Sequence, residues 1–319
     1  AQWPEFTVWM GQSREPDPSP DYTDEGRWVA EDHEWMGRSK PETYYLGPTL
    51  APTPPPPGVH DSRALDLSAV GAPLNIGTAL IETSSFGSAA NPDLPRDQTA
   101  DDKQAITFDS APLSTDLECF GYPTVRLNVE ADKPITALVV RLAEISPTTG
   151  ASHLVSYTFF NLVYRDGDQA DPKPVPPGVF GVEIPLNIIG HVFKRGWKLR
   201  VAISPFSFPG MWQVPQIPTV KIHTGPVDGR QASALILPRR EPRPQDAGLA
   251  ALLPERSRLP RARHPLPPAR TGLCFAPNRL PSGPNRFPSE RNPVPLRTEP
   301  VPLQTEPVSF WTEPVPLWT

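Results

Sequence analysis

Val125-Arg126-Leu127-Asn128-Val129-Glu130 alternates apolar and polar side chains one by one. A strand sends successive side chains to opposite faces, so this stretch carries one apolar face and one wet face. The same grammar spreads outward from it. Asp132-Lys133-Pro134 predicts a turn. Ala137-Leu138-Val139-Val140-Arg141-Leu142 is apolar on both faces at its start, as a strand between two layers would be. Pro147-Thr148-Thr149-Gly150 predicts the next turn. Residues 154–164 read as a long aromatic strand in which Asn161 breaks the pattern and predicts a bulge. Val182-Glu183-Ile184-Pro185-Leu186 alternates, with Pro185 marking an edge or a strand end. Leu199, Val201 and Ile203 alternate with Lys198, Arg200 and Ala202, and Val220-Lys221-Ile222 closes the series. Upstream, residues 6–10, 27–30 and 43–46 are further strand candidates. Short strands divided by turn residues, with no helix of three turns, predict an all-β antiparallel β-sandwich of jelly-roll type.

Composition sets the outer limits. Of 319 residues, 47 are proline, about three times the usual ~5%. Each interior proline costs a helix ~3 kcal/mol, so a mostly helical protein is excluded. No run of 18 apolar residues exists, so a membrane-spanning helix is excluded and no membrane partner is expected. The start, Ala1-Gln2-Trp3-Pro4, lacks an initiator Met and a signal pattern and reads as a fragment or a processed chain. Cys119, in an apolar run, reads as a small core residue, and Cys274 as an exposed, incidental thiol. Two unpaired thiols fit a reducing compartment, and a cytoplasmic location is expected.

The net charge of −5 hides a split. From Arg239 onward the chain has 12 Arg, no Lys and 7 acidic residues, with 18 of the 47 prolines. That density blocks helix and sheet ladders alike, so residues 239–319 read as a disordered Pro/Arg-rich tail. Its end repeats with a period of seven: Thr298-Glu299-Pro300-Val301-Pro302-Leu303, then Thr305-Glu306-Pro307-Val308-Ser309-Phe310, then Thr312-Glu313-Pro314-Val315-Pro316-Leu317. Pro inside every heptad rules out a coiled coil. One reading is a polyproline ligand for an aromatic groove; the other is a tandem repeat translated without selection, as a shifted reading frame in GC-rich DNA would give. Interspersed acids and absent aromatic spacing argue against nucleic acid as a partner. Pro52-Thr53-Pro54-Pro55-Pro56-Pro57-Gly58 reads as a stiff linker. The expected organisation is a lead-in segment and Pro-rich linker over residues 1–58, the jelly roll over 59–238, and the tail over 239–319.

Catalytic residues are not legible. A serine hydrolase needs its nucleophile on a sharp turn, usually G-x-S-x-G. The nearest stretch, Gly11-Gln12-Ser13-Arg14-Glu15, has the wrong last residue, and Pro16 and Pro18 follow at once. His33, His60, His153, His191, His223 and His264 are scattered and match no metal-binding spacing. His60-Asp61 reads as a solvated pair, Asp97, Asp101 and Asp102 as a solvated or structural loop rather than a calcium site, and Asp166-Gly167-Asp168 as a turn. There is no phosphate-cradling glycine loop. No metal and no cofactor is expected. Large apolar residues in Pro-flanked positions are more informative. Trp9 and Met10 in the first strand, and Phe208 and Trp212 in the rim loop that also holds Phe206 and Met211, are the candidate interface or cleft residues.

Several runs then carry a resemblance. Asp97-Gln98-Thr99-Ala100-Asp101-Asp102 leads into Ile106-Thr107-Phe108-Asp109-Ser110-Ala111-Pro112-Leu113. Gly121-Tyr122-Pro123-Thr124-Val125-Arg126-Leu127, Val140-Arg141-Leu142, Val155-Ser156-Tyr157 and Asn161-Leu162 follow. The last is His191-Val192-Phe193-Lys194-Arg195-Gly196-Trp197-Lys198-Leu199-Arg200-Val201-Ala202-Ile203-Ser204. With Phe6-Thr7-Val8-Trp9-Met10 and Gly26-Arg27-Trp28-Val29-Ala30-Glu31, these resemble, over roughly residues 4–224, the C-terminal domain of the cocaine esterase / X-Pro dipeptidyl-peptidase family of serine hydrolases. The resemblance implies an upstream α/β-hydrolase domain with a Ser-His-Asp triad, missing from this chain, as the partner on which the jelly roll packs and whose substrate cleft it helps shape. No triad position of the family maps onto this chain, so the resemblance implies a non-catalytic piece, inactive alone. The alternative is a free-standing carbohydrate- or protein-binding jelly-roll module.

Overall fold

The alternating stretch becomes β7 (Thr124–Ala131), with Val125, Leu127 and Val129 fully buried. The computed structural model describes residues 4–16, 25–56, 61–65, 97–167, 170–206, 211, 214–247 and 249. The other strands among them are β1 (Phe6–Gln12), β2 (Gly26–Glu31), β3 (Lys40–Tyr45), β4 (Ser62–Leu65), β5 (Ile106–Asp109) and β6 (Leu117–Gly121). After β7 come β8 (Ala137–Ile145), β9 (Ser152–Asn161), β10 (Phe180–Pro185), β11 (Ile189–Phe193), β12 (Lys198–Ser204), β13 (Val220–His223) and β14 (Ala234–Arg239). The α-helices described are single turns, α1 (Trp35–Arg38) and α2 (Thr99–Asp102).

The strands form two sheets. The larger runs β2-β1-β11-β6-β14-β7-β13-β4, with β10 on the other edge of β7 and β3 along β14. The smaller runs β5-β12-β8-β9. Their facing sides share one apolar core. Leu117, Cys119, Leu127, Ile184, Phe193 and Leu235 come from the larger sheet, and Phe108, Leu138, Leu142, Leu199 and Val201 from the smaller. Each such fully buried side chain contributes ~1.5–3 kcal/mol. All nine positions of β8 are buried, which is why its sequence shows no clean alternation at the start. Cys119 sits at zero exposure, and burial pushes its thiol far above the ordinary range. The all-β sandwich read from the sequence is therefore the architecture of the protein.

Two local expectations shift. The bulge lies at Val155, where the β8–β9 register jumps from Leu142↔Ser156 to Ala143↔Leu154. Asn161 instead ends β9. Its side-chain oxygen accepts a hydrogen bond from the Val163 N–H and caps the 3-10 turn Leu162–Tyr164, the local bond that makes Asn leave a ladder.

The boundaries also move. Residues 1–58 are not set apart from the sandwich. β1 and β2 extend the larger sheet through a parallel register of β1 with β11 (Gly11↔His191, Gln12↔Val192), and β3 pairs along the whole of β14. The Pro-rich stretch joins β3 to β4 within that sheet, so it is not an interdomain linker. At the other end, β14 includes Arg239, and Arg240 is buried among carboxylates, so the ordered chain continues beyond residue 238. Paired charge, invisible to a proline count, holds it there. The rest of the tail, including its repeats and Cys274, lies outside the described residues.

Gly26 sits opposite Gly11 in the β1–β2 register, where a Cβ would come 2.2 Å from the Met10 carbonyl oxygen. Backbone cannot yield as a flexible side chain does. Gly26→Ala is expected to destabilise the protein by about 1–3 kcal/mol in urea unfolding, whereas Gly37→Ala, with open space around it, should change stability by less than about 0.5 kcal/mol.

Candidate functional site

β1 and β2 form a hairpin-like pair at one end of the larger sheet, and its register decides where the sequence-derived site residues go. Trp9 opposes Trp28, and Val8 opposes Val29. Trp9 and Trp28 therefore share one face, half-buried, with ring centroids 5.3 Å apart at 67°. Val8 and Met10 share the other. There Met10, Val29, Phe120 and Val192 close a second apolar cluster, flanked by Val8 and Trp35. Met10 has zero exposure, so its expected place on an open patch is corrected: the outer side of this sheet carries its own small core. Phe208 and Trp212 lie outside the described residues, while their neighbour Phe206 is buried.

Other side chains are exposed around the hairpin. Phe6 is 49% exposed, Tyr122 56%, Ile188 47% and Met36 64%. Phe6 lies two residues from Val8 on the same face of β1. Val8 and Met10 crowd Gly190 of β11, where a Cβ would lie 2.7 Å from the Trp9 oxygen. Ile188 and Tyr122 adjoin the Ile189↔Gly121 pair of β11 and β6. Met36 follows Trp35, which stacks on Phe120 at 4.5 Å. These residues escaped the sequence reading because exposure depends on which strand ends lack a covering layer, and no local pattern records that.

A buried polar cluster stands behind the same hairpin. Glu144 of β8 points between the sheets at zero exposure. It accepts from His153 Nδ1 of β9 at 2.9 Å, from His191 Nε2 of β11 at 3.3 Å, and from the Ser13 hydroxyl just past β1. Ser13 Oγ in turn accepts from the Lys194 N–H at 2.9 Å. Glu15 continues the bridge, accepting from Thr149 Oγ1 at 2.6 Å and from the Ser146 hydroxyl. Burial pushes the Glu144 carboxyl up, but the charge and hydrogen bonds of His191 and His153 outweigh it and hold the group at about 2. The constellation contains a serine, two histidines and a carboxylate, yet it is not a hydrolytic relay. A relay needs the serine bonded to a histidine base that the carboxylate orients. Here the buried serine hydroxyl donates to the carboxylate, and both histidines bond that carboxylate rather than the serine. The sequence scattered these four residues over 179 positions, and only the sandwich brings them together.

The remaining candidates are structural. Asp102 of α2 pairs with Arg141 at 3.0 Å and Arg200 at 2.9 Å, and Arg200 also holds Asp109. Asp166 pairs with Lys173, and Gly167 supplies the positive φ of its turn. His60 and Asp168 lie outside the described residues. Among the described residues no group of three or more His, Cys, Asp or Glu side chains is placed to hold a metal ion, and no helix is long and apolar enough to cross a membrane.

Comparison with known proteins adds a family and a fold. A family described as the X-Pro dipeptidyl-peptidase C-terminal non-catalytic domain matches residues 2–240. No curated protein matches the chain in sequence. Among solved structures, an aminopeptidase from a marine sediment Thaumarchaeota archaeon is similar at 20% identity and a TM-score of 0.55, covering 67% of this chain and 38% of that one. An α-amino acid ester hydrolase is similar at 23% identity and 0.50, covering 62% and 36%. A CocE/NonD family hydrolase from Staphylococcus aureus is similar at 16% identity and 0.50, covering 74% and 42%. At these identities the likeness concerns the fold, and the matched part is well under half of each relative.

Glu144 sets an acid limit on stability. Its folded value of about 2 lies below the ordinary 4.5, so its contribution is full above the ordinary value and is lost as pH falls towards 2. Glu144→Gln is expected to cost about 1–3 kcal/mol at pH 7. The gap between wild type and variant should close between pH 5 and about 2 in pH-dependent urea unfolding. A gap independent of pH would show that the carboxylate is not ionised in the fold.

Proposed function

The chain belongs to the family of X-Pro dipeptidyl-peptidase C-terminal non-catalytic domains, and from that premise we propose that its sandwich docks on an α/β-hydrolase domain of the same polypeptide and helps shape that domain's substrate cleft. The observation that carries this reading is the match of residues 2–240 to a domain described as C-terminal and non-catalytic. The exposed apolar side chains around the β1–β2 pair supply the surface. Phe6, Tyr122, Ile188 and Met36 are each about half exposed or more, and interdomain contacts within a chain cover ~600–1,500 Å². Trp9 and Trp28 lie on the opposite face of the same strands, so a partner that clasps the pair reaches both sides.

The same reading makes the chain inactive by itself. Ser13, in the near-elbow sequence of residues 11–15, is occupied by Glu144 and the Lys194 N–H. The purified chain is expected to turn over neither nitrophenyl esters nor an X-Pro nitroanilide. Turnover that survives repurification and is blocked by a serine-directed fluorophosphonate would overturn this.

Docking has its own test. The reading requires a hydrolase domain with G-x-S-x-G encoded in frame upstream of Ala1. Expressed separately, that domain should bind the chain in calorimetry. Ile188→Asp and Phe6→Ser should each weaken binding by about tenfold or more while leaving the thermal transition of the chain nearly unchanged, since both side chains are exposed. Unaltered affinity in both variants would move the docking surface elsewhere.

A further inference from the structure

β2 is the outermost strand of the larger sheet, and such an edge exposes backbone donors and acceptors that other chains can pair with. Here the edge is occupied by side chains. The Ala30 N–H donates to Asp246 Oδ1 at 3.0 Å, and the Ala30 carbonyl accepts from Arg243 Nη1 at 3.3 Å and Arg240 Nη2 at 3.4 Å. A carboxylate and two guanidiniums thus stand where a neighbouring strand would place its own C=O and N–H.

The segment that supplies them is fastened by charge. Arg240, 6% exposed, meets Glu31 Oε1 at 2.5 Å, Asp246 Oδ1 at 2.8 Å, and Glu118. Arg243 meets Asp32 at 2.9 Å and Glu31 at 3.2 Å, and Arg38 joins the same two acids at 2.6 Å each. Buried charges persist only when paired on every side. A cleft of about 420 Å³ runs beneath the segment, lined by Met10, Gly26, Arg27, Val192, Arg240 and Pro242 among others. The family match stops at Arg240, so Arg243 and Asp246 lie beyond it.

We propose that residues 240–247 are an intramolecular latch on the open edge of β2, and that displacing the latch turns this edge into a pairing surface for a second copy of the chain. The sequence of β2 suits itself as a partner. Ala30 directs its N–H and C=O away from β1, and strand alternation gives Trp28 the same direction. Antiparallel pairing that exchanges bonds between Trp28 of one copy and Ala30 of the other sets Arg27 opposite Glu31 twice across the two-fold axis. That cross-strand charge match favours this register. The inference does not depend on the hydrolase docking proposed above, because the probe is the chain alone.

Asp246→Ala removes the Ala30 acceptor and one partner of Arg240. The wild-type chain is expected to be monomeric by sedimentation, with the Ala30 amide protected. In the dilute variant, Ala30 exchange should accelerate by about tenfold or more; at higher concentration the variant should dimerise. Adding Arg27→Glu sets like charges opposite Glu31 and should restore the monomer, whereas association through any other apolar surface would persist. A folded Asp246→Ala chain that stays monomeric at all concentrations, or an unchanged Ala30 exchange rate, overturns the proposal. So does a wild-type chain already dimeric through β2. If Asp246→Ala does not fold, Arg243→Ala, which removes the partner of Glu31, Asp32 and the Ala30 carbonyl but leaves Asp246 on the Ala30 N–H, decides the matter by its sedimentation alone: dimerisation at higher concentration is expected, and a monomer at all concentrations overturns the proposal.

Discussion

A carboxylate between two sheets must be met by donors or the sheets separate, and Glu144 is met from every side. His153 reaches it along its own sheet, His191 from the facing sheet, and Ser13 from the chain leaving β1. Such a pairing adds little net stability over an apolar substitute, but leaving a buried partner unsatisfied costs ~1–3 kcal/mol. Its consequence is geometric. β1 touches β11 through a short parallel register, and Ser13 with Glu15 then carries the chain across to the β8–β9 turn. The position of the lead-in strands relative to the sandwich is therefore fixed by polar contacts as much as by the ladder.

That fixation explains why the β1–β2 region can present apolar surface without collapsing. Its outer face is sealed locally by Met10, Val29, Phe120 and Val192, with Trp35 leaning on Phe120. Close backbone approach at Gly26 and Gly190 leaves no room for the strands to slide. What remains open is the fringe of Phe6, Tyr122 and Ile188 at the ends of β1, β6 and β11. Under the docking proposed above, a fringe held this way would meet its partner as a preformed surface with little ordering cost on contact.

Charge plays the complementary part on the same face of these strands, where Arg27 opposes Met10 and Glu31 opposes Phe6. Arg27, Arg38, Arg240 and Arg243 interlock with Glu31, Asp32, Glu118 and Asp246 across β2, β6 and the chain after β14. The network draws together residues more than 200 positions apart and blunts a sheet edge. Apolar fringe and charged latch thus divide the work, one leaving surface open and the other closing backbone.

The period of two along residues 125–130 and the apolar run of β8 determined by themselves that the protein is an all-β sandwich, because side-chain alternation is a local property of a strand. Cys119 as core and the strand-ending Pro185 were legible for the same reason. The site was not. Ser13, Glu144, His153 and His191 carry no spacing signal, since their meeting is produced by the stacking of two sheets rather than by any run of sequence. Met10 looked like surface because its burial comes from Phe120 and Val192, which the pairing of β1 with β11, and not the chain order, brings alongside. Arg240 looked like the start of a featureless tail because composition counts prolines and charges without their partners. Which strands face water, and which charges find each other, are decided by long-range pairing, and only the tertiary structure holds that information.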